Sequence, residues 1–331
     1  MFYTRHRLAF LAALVKDNIR HWGFHSNAEV ALLTYSENAT FIIQDKGQKR
    51  VLRVYRPHYH SNAEILSELQ FMQKVEQQGN IILPHIYKTK DNQYFLTIRA
   101  EGIDWRIACF SFIEGIEPKI SDNLPQWFNK LGGLAAQLHS ITRDWPSQAA
   151  NSKNIFTRKS WAYETMIGKN AYWGNWRAAR LDEQNKALLE ICDAQLKNAC
   201  EALTNKGTKF SLLHADLRLA NLLMHGNELA IIDFDDCGFS WLGLDFANAI
   251  SFIENEPIVP LLQDQWLSGY SKVSEPDKDM IESLPHLIMM RRMQLTAWLM
   301  SHSETSTAIT LNDQFGCITS HLAKIYLNKH G

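Results

Sequence analysis

The segment SLLHADLRLANLLMHGNELAIIDFDD, residues 211–236, sets His214, Asp216 and Asn221 in the spacing H-x-D-x-x-x-x-N and delivers Asp233 at the end of a second apolar run. Those residue types in that order suit the movement of a phosphate. A hydroxyl attacking ATP needs a carboxylate to accept its proton, and metal-bound phosphates need hard oxygen ligands within a few ångströms of the same point. Asp216 is the candidate base, and Asn221 and Asp233 are the candidate ligands of a Mg2+ ion. Taken singly, each has a plainer explanation: Asp216 as a turn residue, Asn221 as a cap, Asp233 as the polar stop of a strand. Together, in order and about a dozen residues apart, they favour the chemical reading.

This text resembles the aminoglycoside phosphotransferase and choline kinase superfamily, whose typical loop reads H-G-D-x-x-x-x-N followed by I-D-F/W-E/D. Within it the chain is similar to a branch of small bacterial kinases that includes the stress-response Ser/Thr kinase and homoserine-kinase-like proteins. VLRVYRP, WGNWR and IDFDDCGFSW carry that likeness. The resemblance implies an α+β, bilobal, protein-kinase-like fold that uses MgATP. Residues 1–110 would be an N-lobe with the nucleotide-binding sheet and one helix, and 111–331 a C-lobe with the catalytic loop and acceptor-binding helices.

It also assigns roles. Arg53 stands where kinases keep the lysine that holds the α and β phosphates, and a guanidinium can supply that charge. Glu68 is its candidate partner from the following helix, with Glu64 the rival one turn earlier. The turn YSENAT, residues 35–40, would cover the phosphates, with Asn38 among its donors. Residues 111–115 would form the hinge, where the backbone of Ser111 and Ile113 pairs with adenine. Ala215 replaces the superfamily's glycine, which requires φ below zero or a small strain. His214 braces the loop. Asp245 is expected to cap its helix and brace the catalytic-loop backbone, and Asp235 and Asp236 stand behind the metal ligands.

The elements that must position these groups are legible as periodicities. Residues 28–56 alternate as strands with a turn at Lys46-Gly47. Asn62 to Gln78 places Ile65, Leu66, Leu69, Met72 and Val75 on one helical face, and Gly79-Asn80 stops it. Further strands are expected in IILPHIYKT, YFLTIRA and WRIACFSFI. Helices are expected at 124–141, 182–204, 244–255, 258–271 and 279–301, with a long polar loop from Thr142 to Ser160.

At 331 residues and 46% hydrophobic content the chain suits two lobes with a sizeable core. A net charge of −1 calls for neither nucleic acid nor an anionic membrane as partner. Five cysteines without a C-x-x-C pair read as reduced thiols of a cytoplasmic protein. Arg5 and Arg7 precede LAFLAALV as in a signal peptide, but Lys16 and Asp17 interrupt the run. Leu8, Leu11, Val15, Ile19 and Trp22 fall at helical spacing, so a packed first helix is expected. No apolar run reaches the roughly 18 residues of a membrane span.

The acceptor is less legible. From Trp241 onward ten acidic residues face six Lys and Arg, a lean toward an amino-bearing small-molecule hydroxyl acceptor. Trp161, Tyr172, Trp173 and Trp176 would either line its pocket or pack helices. The alternatives are a Ser/Thr protein kinase with a protein substrate and a nucleotide-sensing binding protein, and retention of Asp216, Asn221 and Asp233 argues against the latter. Nothing in the sequence sets an oligomeric state.

Overall fold

The computed structural model describes residues 2–120, 123–143, 156–303, 305–311 and 314–331. The chain divides into two compact units. The first comprises Met1–Gly115, Ser152–Thr157 and Ala230–Ile232, and the second Ile116–Asn151, Arg158–Leu229 and Asp233–Gly331.

The first unit opens with α1 (Arg5–Asn18), capped by the Thr4 hydroxyl, which accepts the Arg7 N–H at 3.2 Å. The apolar face of α1 continues through a single turn, Ile19–Trp22, which Gly23 ends at φ +84°. Strands β1 (Glu29–Tyr35), β2 (Ala39–Asp45) and β3 (Gln48–Tyr55) precede α2 (Asn62–Gln78), and β4 (Ile86–Tyr87), β5 (Leu96–Ala100) and β6 (Ile103–Ser111) follow it. The sheet runs β1-β2-β3-β6-β4, with β5 also on β6, and every pairing is antiparallel. Lys46 and Gly47, at φ +48° and +82°, make the two-residue turn whose twist matches the strands it joins. Leu11, Val15, Ile19, Phe41, Leu52, Val54 and Ile107 form the core under α1.

Helix α2 starts in a capping box, in which Ser61 accepts from Glu64 N–H and the Glu64 carboxylate accepts from Ser61 N–H at 2.8 Å. The strand expected across IILPHIYKT shrinks to Ile86–Tyr87. Pro84 has no N–H to give a ladder, and upstream of it Ile82 makes a lone parallel bridge to Ala230.

The second unit is mainly helical: α3 (Leu124–Thr142), α4 (Tyr163–Met166) and α5 (Glu183–Lys206), then, after the strands, α6 (Leu244–Ala249), α7 (Val259–Ser271), α8 (Lys278–Ser301), α9 (Ser306–Leu311) and α10 (Gln314–His330). The strands are β7 (Phe210–Leu213), β8 (Leu222–His225) and β10 (Gly238–Trp241), with β9 (Glu228–Ile231) starting in this unit and its last two residues belonging to the first. Helices α3 and α7 touch backbone to backbone. A Cβ on Gly132 would collide with the Trp266 carbonyl, and one on Gly269 with the Asn129 carbonyl.

Two expectations need correction. The helix expected over 244–255 ends at Ala249, and Phe252 adopts φ +72°, which no helix continues through. The C-terminal residues build α9 and α10, which the periodicity did not mark. Most of the loop expected between Thr142 and Ser160 lies outside the described residues. Among those residues the cysteines are free and no helix is long and apolar enough to cross a membrane.

Candidate active site

Antiparallel pairing of β7 with β10, from Gly238 opposite Leu213 to Trp241 opposite Phe210, sets the geometry. The loop leaving β7 carries His214 to Asn221, and the acidic turn entering β10 carries Asp233 to Asp236. Pairing the two strands brings the sequence motif's halves side by side.

Asp216 is buried, and its carboxylate is held from several directions. Oδ1 accepts from Arg291 Nη2 at 2.8 Å, and Oδ2 accepts from Asn221 Nδ2 at 2.7 Å and Arg218 Nε at 3.1 Å. Asn221 also donates to the Asp216 carbonyl at 2.9 Å, so both contacts engage its amide nitrogen. The Asp216 N–H donates to His214 Nδ1 at 3.2 Å, so that ring nitrogen acts as an acceptor and ties His214 to the loop backbone. Its ring also lies 4.5 Å from that of Phe234.

Ala215 sits at φ +61°, so alanine in the glycine position takes the strained option rather than φ below zero. Its N–H donates to Asp245 Oδ1 at 2.9 Å, while Asp245 Oδ2 pairs with His139 Nε2 at 3.0 Å and His139 Nδ1 meets the Tyr270 hydroxyl at 3.0 Å. This chain of buried groups anchors the loop on α3 and α7. Asp245 does brace the catalytic-loop backbone. It does not cap α6: Gly243 holds the cap position, without a side-chain bond, and the Asp245 carboxylate is committed elsewhere.

The acidic turn is shaped by its backbone. Asp233 lies two residues beyond β9 at φ +61°, with Oδ1 accepting from Asp235 N–H at 3.4 Å. Buried Arg158 donates through Nε to the Cys237 carbonyl at 2.6 Å and also reaches the Asp235 carbonyl, and Trp161 Nε1 donates to the Asp236 carbonyl at 2.7 Å. Cationic and indole donors thus hold the turn by its carbonyls.

The donor set matches a hard divalent cation. Among the described residues no group of three or more His, Cys, Asp or Glu forms a self-contained metal site. Asn221 keeps its side-chain oxygen unengaged among those residues and Asp233 supplies a carboxylate. One or two protein oxygens completed by phosphate and water oxygens is how Mg2+ is ordinarily held in phosphoryl-transfer sites.

In the first unit, Arg53 of central strand β3 donates through Nη1 to Glu68 Oε1 at 2.6 Å, and Tyr55 donates its hydroxyl to Glu68 Oε2 at 3.2 Å. Glu68 is fully buried and Arg53 nearly so. The choice left open between Glu64 and Glu68 falls to Glu68, because Glu64 is taken up in the capping box. Asn38 is buried and spends its side-chain oxygen on the Arg56 N–H at 3.1 Å, which ties the β1–β2 turn to the end of β3. The Ser111 N–H donates to the His85 carbonyl at 2.8 Å, and the Ser111 hydroxyl oxygen accepts from the His85 N–H at 2.9 Å. Ile113 makes no backbone hydrogen bond among the described residues.

Sequence reasoning missed Arg291, whose guanidinium is 2% exposed. Its signal was present: Arg291-Arg292 interrupts the otherwise apolar run LIMMRRMQL of α8. Burial pulls Arg291 below the ordinary arginine pKa, against the opposing pull of Asp216 and Asp236. The Trp173 ring lies 4.9 Å beneath its guanidinium carbon. Of the aromatic set proposed for an acceptor pocket, Trp161, Trp173 and Trp176 are buried and Tyr172 is exposed.

Comparison with known proteins agrees with this geometry. A microcompartment-associated aminopropanol kinase is 31% identical, with 96% of this chain and 98% of that one aligned at a TM-score of 0.85. An amicoumacin kinase aligns over 99% and 94% at 19% identity and TM-score 0.75, and the choline kinase of Streptococcus pneumoniae over 97% and 99% at 14% and 0.64. A search of curated proteins found no match. The family model described as the phosphotransferase enzyme family matches residues 33–279. With that match over most of its length and a kinase fold throughout, the chain belongs to the phosphotransferase enzyme family and is a kinase whose phosphate acceptor is a hydroxyl group.

Proposed function

We propose that the chain transfers the γ-phosphate of ATP to the hydroxyl of a small amino alcohol. The observation that carries this reading is the likeness to an aminopropanol kinase along almost the whole of both chains. Asp216 is assigned the acceptor hydroxyl, to orient it and take its proton as the new P–O bond forms. Asn221 Oδ1 and the Asp233 carboxylate are assigned Mg2+, which when bound would neutralise charge on the transferring phosphates. For the nucleotide, the first unit offers Arg53, fixed in direction by Glu68, for the α and β phosphates and the unspent backbone groups of Ile113 for the base. Asn38 and Ser111 contribute through the shape of their turns, since their side chains are engaged within the protein. Positioning and charge stabilisation account for most of such catalysis, and these residues are held by buried partners.

The test is phosphate transfer from labelled ATP with Mg2+ to aminopropanol, ethanolamine, choline, aminoglycosides and protein substrates. Transfer to an amino alcohol, reduced about 100-fold or more by Asp216→Asn in a folded protein, is the expected result. Transfer confined to protein substrates would replace this reading with that of a Ser/Thr protein kinase. Wild-type turnover in Asp216→Asn would remove the base assignment.

A further inference from the structure

Arg291 holds Asp216 in a way that stability alone does not call for. A structural ion pair gains most when the guanidinium fork grips both carboxylate oxygens. Here a single nitrogen, Nη2, meets a single oxygen, Oδ1, at 2.8 Å. The other nitrogens are spent on direction: Nε donates to Ser251 Oγ and Nη1 to Gln294 Oε1, each at 3.0 Å. With the Trp173 ring beneath it, the guanidinium is fixed in plane, in azimuth and in depth.

The two oxygens of Asp216 are consequently unequal. A carboxylate oxygen has two lone pairs. Those of Oδ2 face Asn221 and Arg218, whereas Oδ1 accepts from Arg291 alone among the described residues. We propose that Arg291 is a positioning residue that fixes the rotation of the Asp216 carboxylate so that the open lone pair of Oδ1 receives the proton of the acceptor hydroxyl. The inference rests on Asp216 being the base. In the step itself the acceptor oxygen bonds to the γ-phosphorus while the bond from that phosphorus to the β-phosphate oxygen breaks. The nucleoside diphosphate leaves with that electron pair, and the acceptor proton passes to Oδ1.

Burial of Arg291 is otherwise unfavourable. Taking a guanidinium out of water is rarely repaid in stability beyond what a well-packed apolar side chain would give. A stabilising role is already served next door by Arg292, whose Nη1 donates to Glu254 at 2.6 Å and whose Nε donates to Thr319 at 2.9 Å.

A kinetic double-mutant cycle tests the proposal, with Arg291→Lys and Arg291→Gln each made in the wild-type and Asp216→Asn backgrounds. Arg291→Lys keeps a charge near Oδ1 without the fork and is the variant that carries the test if Arg291→Gln does not fold. With Asp216 intact, Arg291→Lys should lower kcat about 10-fold and leave the KM for ATP within about twofold, the mark of an interaction made in the transition state. In the Asp216→Asn background the same change should lower kcat by no more than about twofold, because residues that act as one unit are not additive. A full 10-fold loss in both backgrounds overturns the proposal while leaving Asp216 as base. Near-normal turnover in Asp216→Asn alone overturns instead the reading on which the proposal rests.

Discussion

Replacing Asp245 by alanine should damage the enzyme twice, and the two effects can be separated. The Asp245 carboxylate is fully buried and accepts from the Ala215 N–H and from His139 Nε2. Asp245→Ala strands both donors, each at about 1–3 kcal/mol, so a loss near 4 kcal/mol is expected. For 331 residues at roughly 2.1 cal/mol/K each, that is a fall of about 6 °C in Tm. The second effect concerns Ala215 at φ +61°, a conformation that costs alanine about 1–2 kcal/mol and that the bond to Asp245 holds in place. Once released, the loop relaxes and Asp216 drifts, so kcat should fall by more than the stability loss explains. Ala215→Gly then serves as the diagnostic. In the wild-type background it should be close to neutral, because about 1–2 kcal/mol of strain relief is offset by about 0.4–1 for the freer unfolded chain and about 0.8 for a buried methyl. In the Asp245→Ala background it should restore part of kcat, since glycine takes positive φ freely, without restoring Tm. Thermal melts and steady-state kinetics on the four proteins decide the matter. An Asp245→Ala variant within 1 °C of wild type, or one whose kcat Ala215→Gly leaves untouched, would refute the reasoning.

Three further outcomes are expected. Asp233→Ala should abolish Mg2+-dependent ATP binding, and unchanged MgATP affinity by calorimetric titration would remove it from the metal site. Arg53→Ala should lose most nucleotide affinity and lower stability, because buried Glu68 loses the hydrogen bond from Arg53 at 2.6 Å. Arg53→Lys should keep part of both, and equal affinities in the two variants would contradict a phosphate role. His286 is held below the ordinary histidine value of 6.5 by burial and by His330, with Nδ1 against the Tyr326 hydroxyl at 2.8 Å. A depressed histidine favours the neutral form in the fold, so its contribution is complete above about 6.5 and is lost as pH falls through the folded value. Tm should therefore drop on acidification more in wild type than in His286→Gln, and parallel profiles would count against the assignment.

What could be read from the chain follows from distance along it. Asp216, Asn221 and Asp233 lie in one segment whose strands, turns and polar groups are sequence neighbours, so spacing alone groups them. The apolar face of α2 with its Gly79 stop and the Lys46-Gly47 turn were legible for the same reason, being local chemistry with a local outcome, whereas the capping box of α2 was not read. The strand cut short at Pro84 and the helix ending at Ala249 show where local propensity yields to particular backbone demands.

The groups that escaped are those whose partners are far away in sequence. Arg291 is 75 residues from Asp216, and His139 is 106 residues from Asp245. A buried arginine in an apolar helix announces that some carboxylate must meet it, because an unpaired guanidinium in that setting is too costly to persist. It does not say which one, because that choice belongs to the packing of α6 against α8 and to the course of the loop after β7. Chemistry-bearing groups can thus be named from a short stretch of text, while the direction in which each points is set by distant buried partners. Substitutions at Asp245, His139 or Arg291 should accordingly leave the motif intact to the eye and the enzyme impaired.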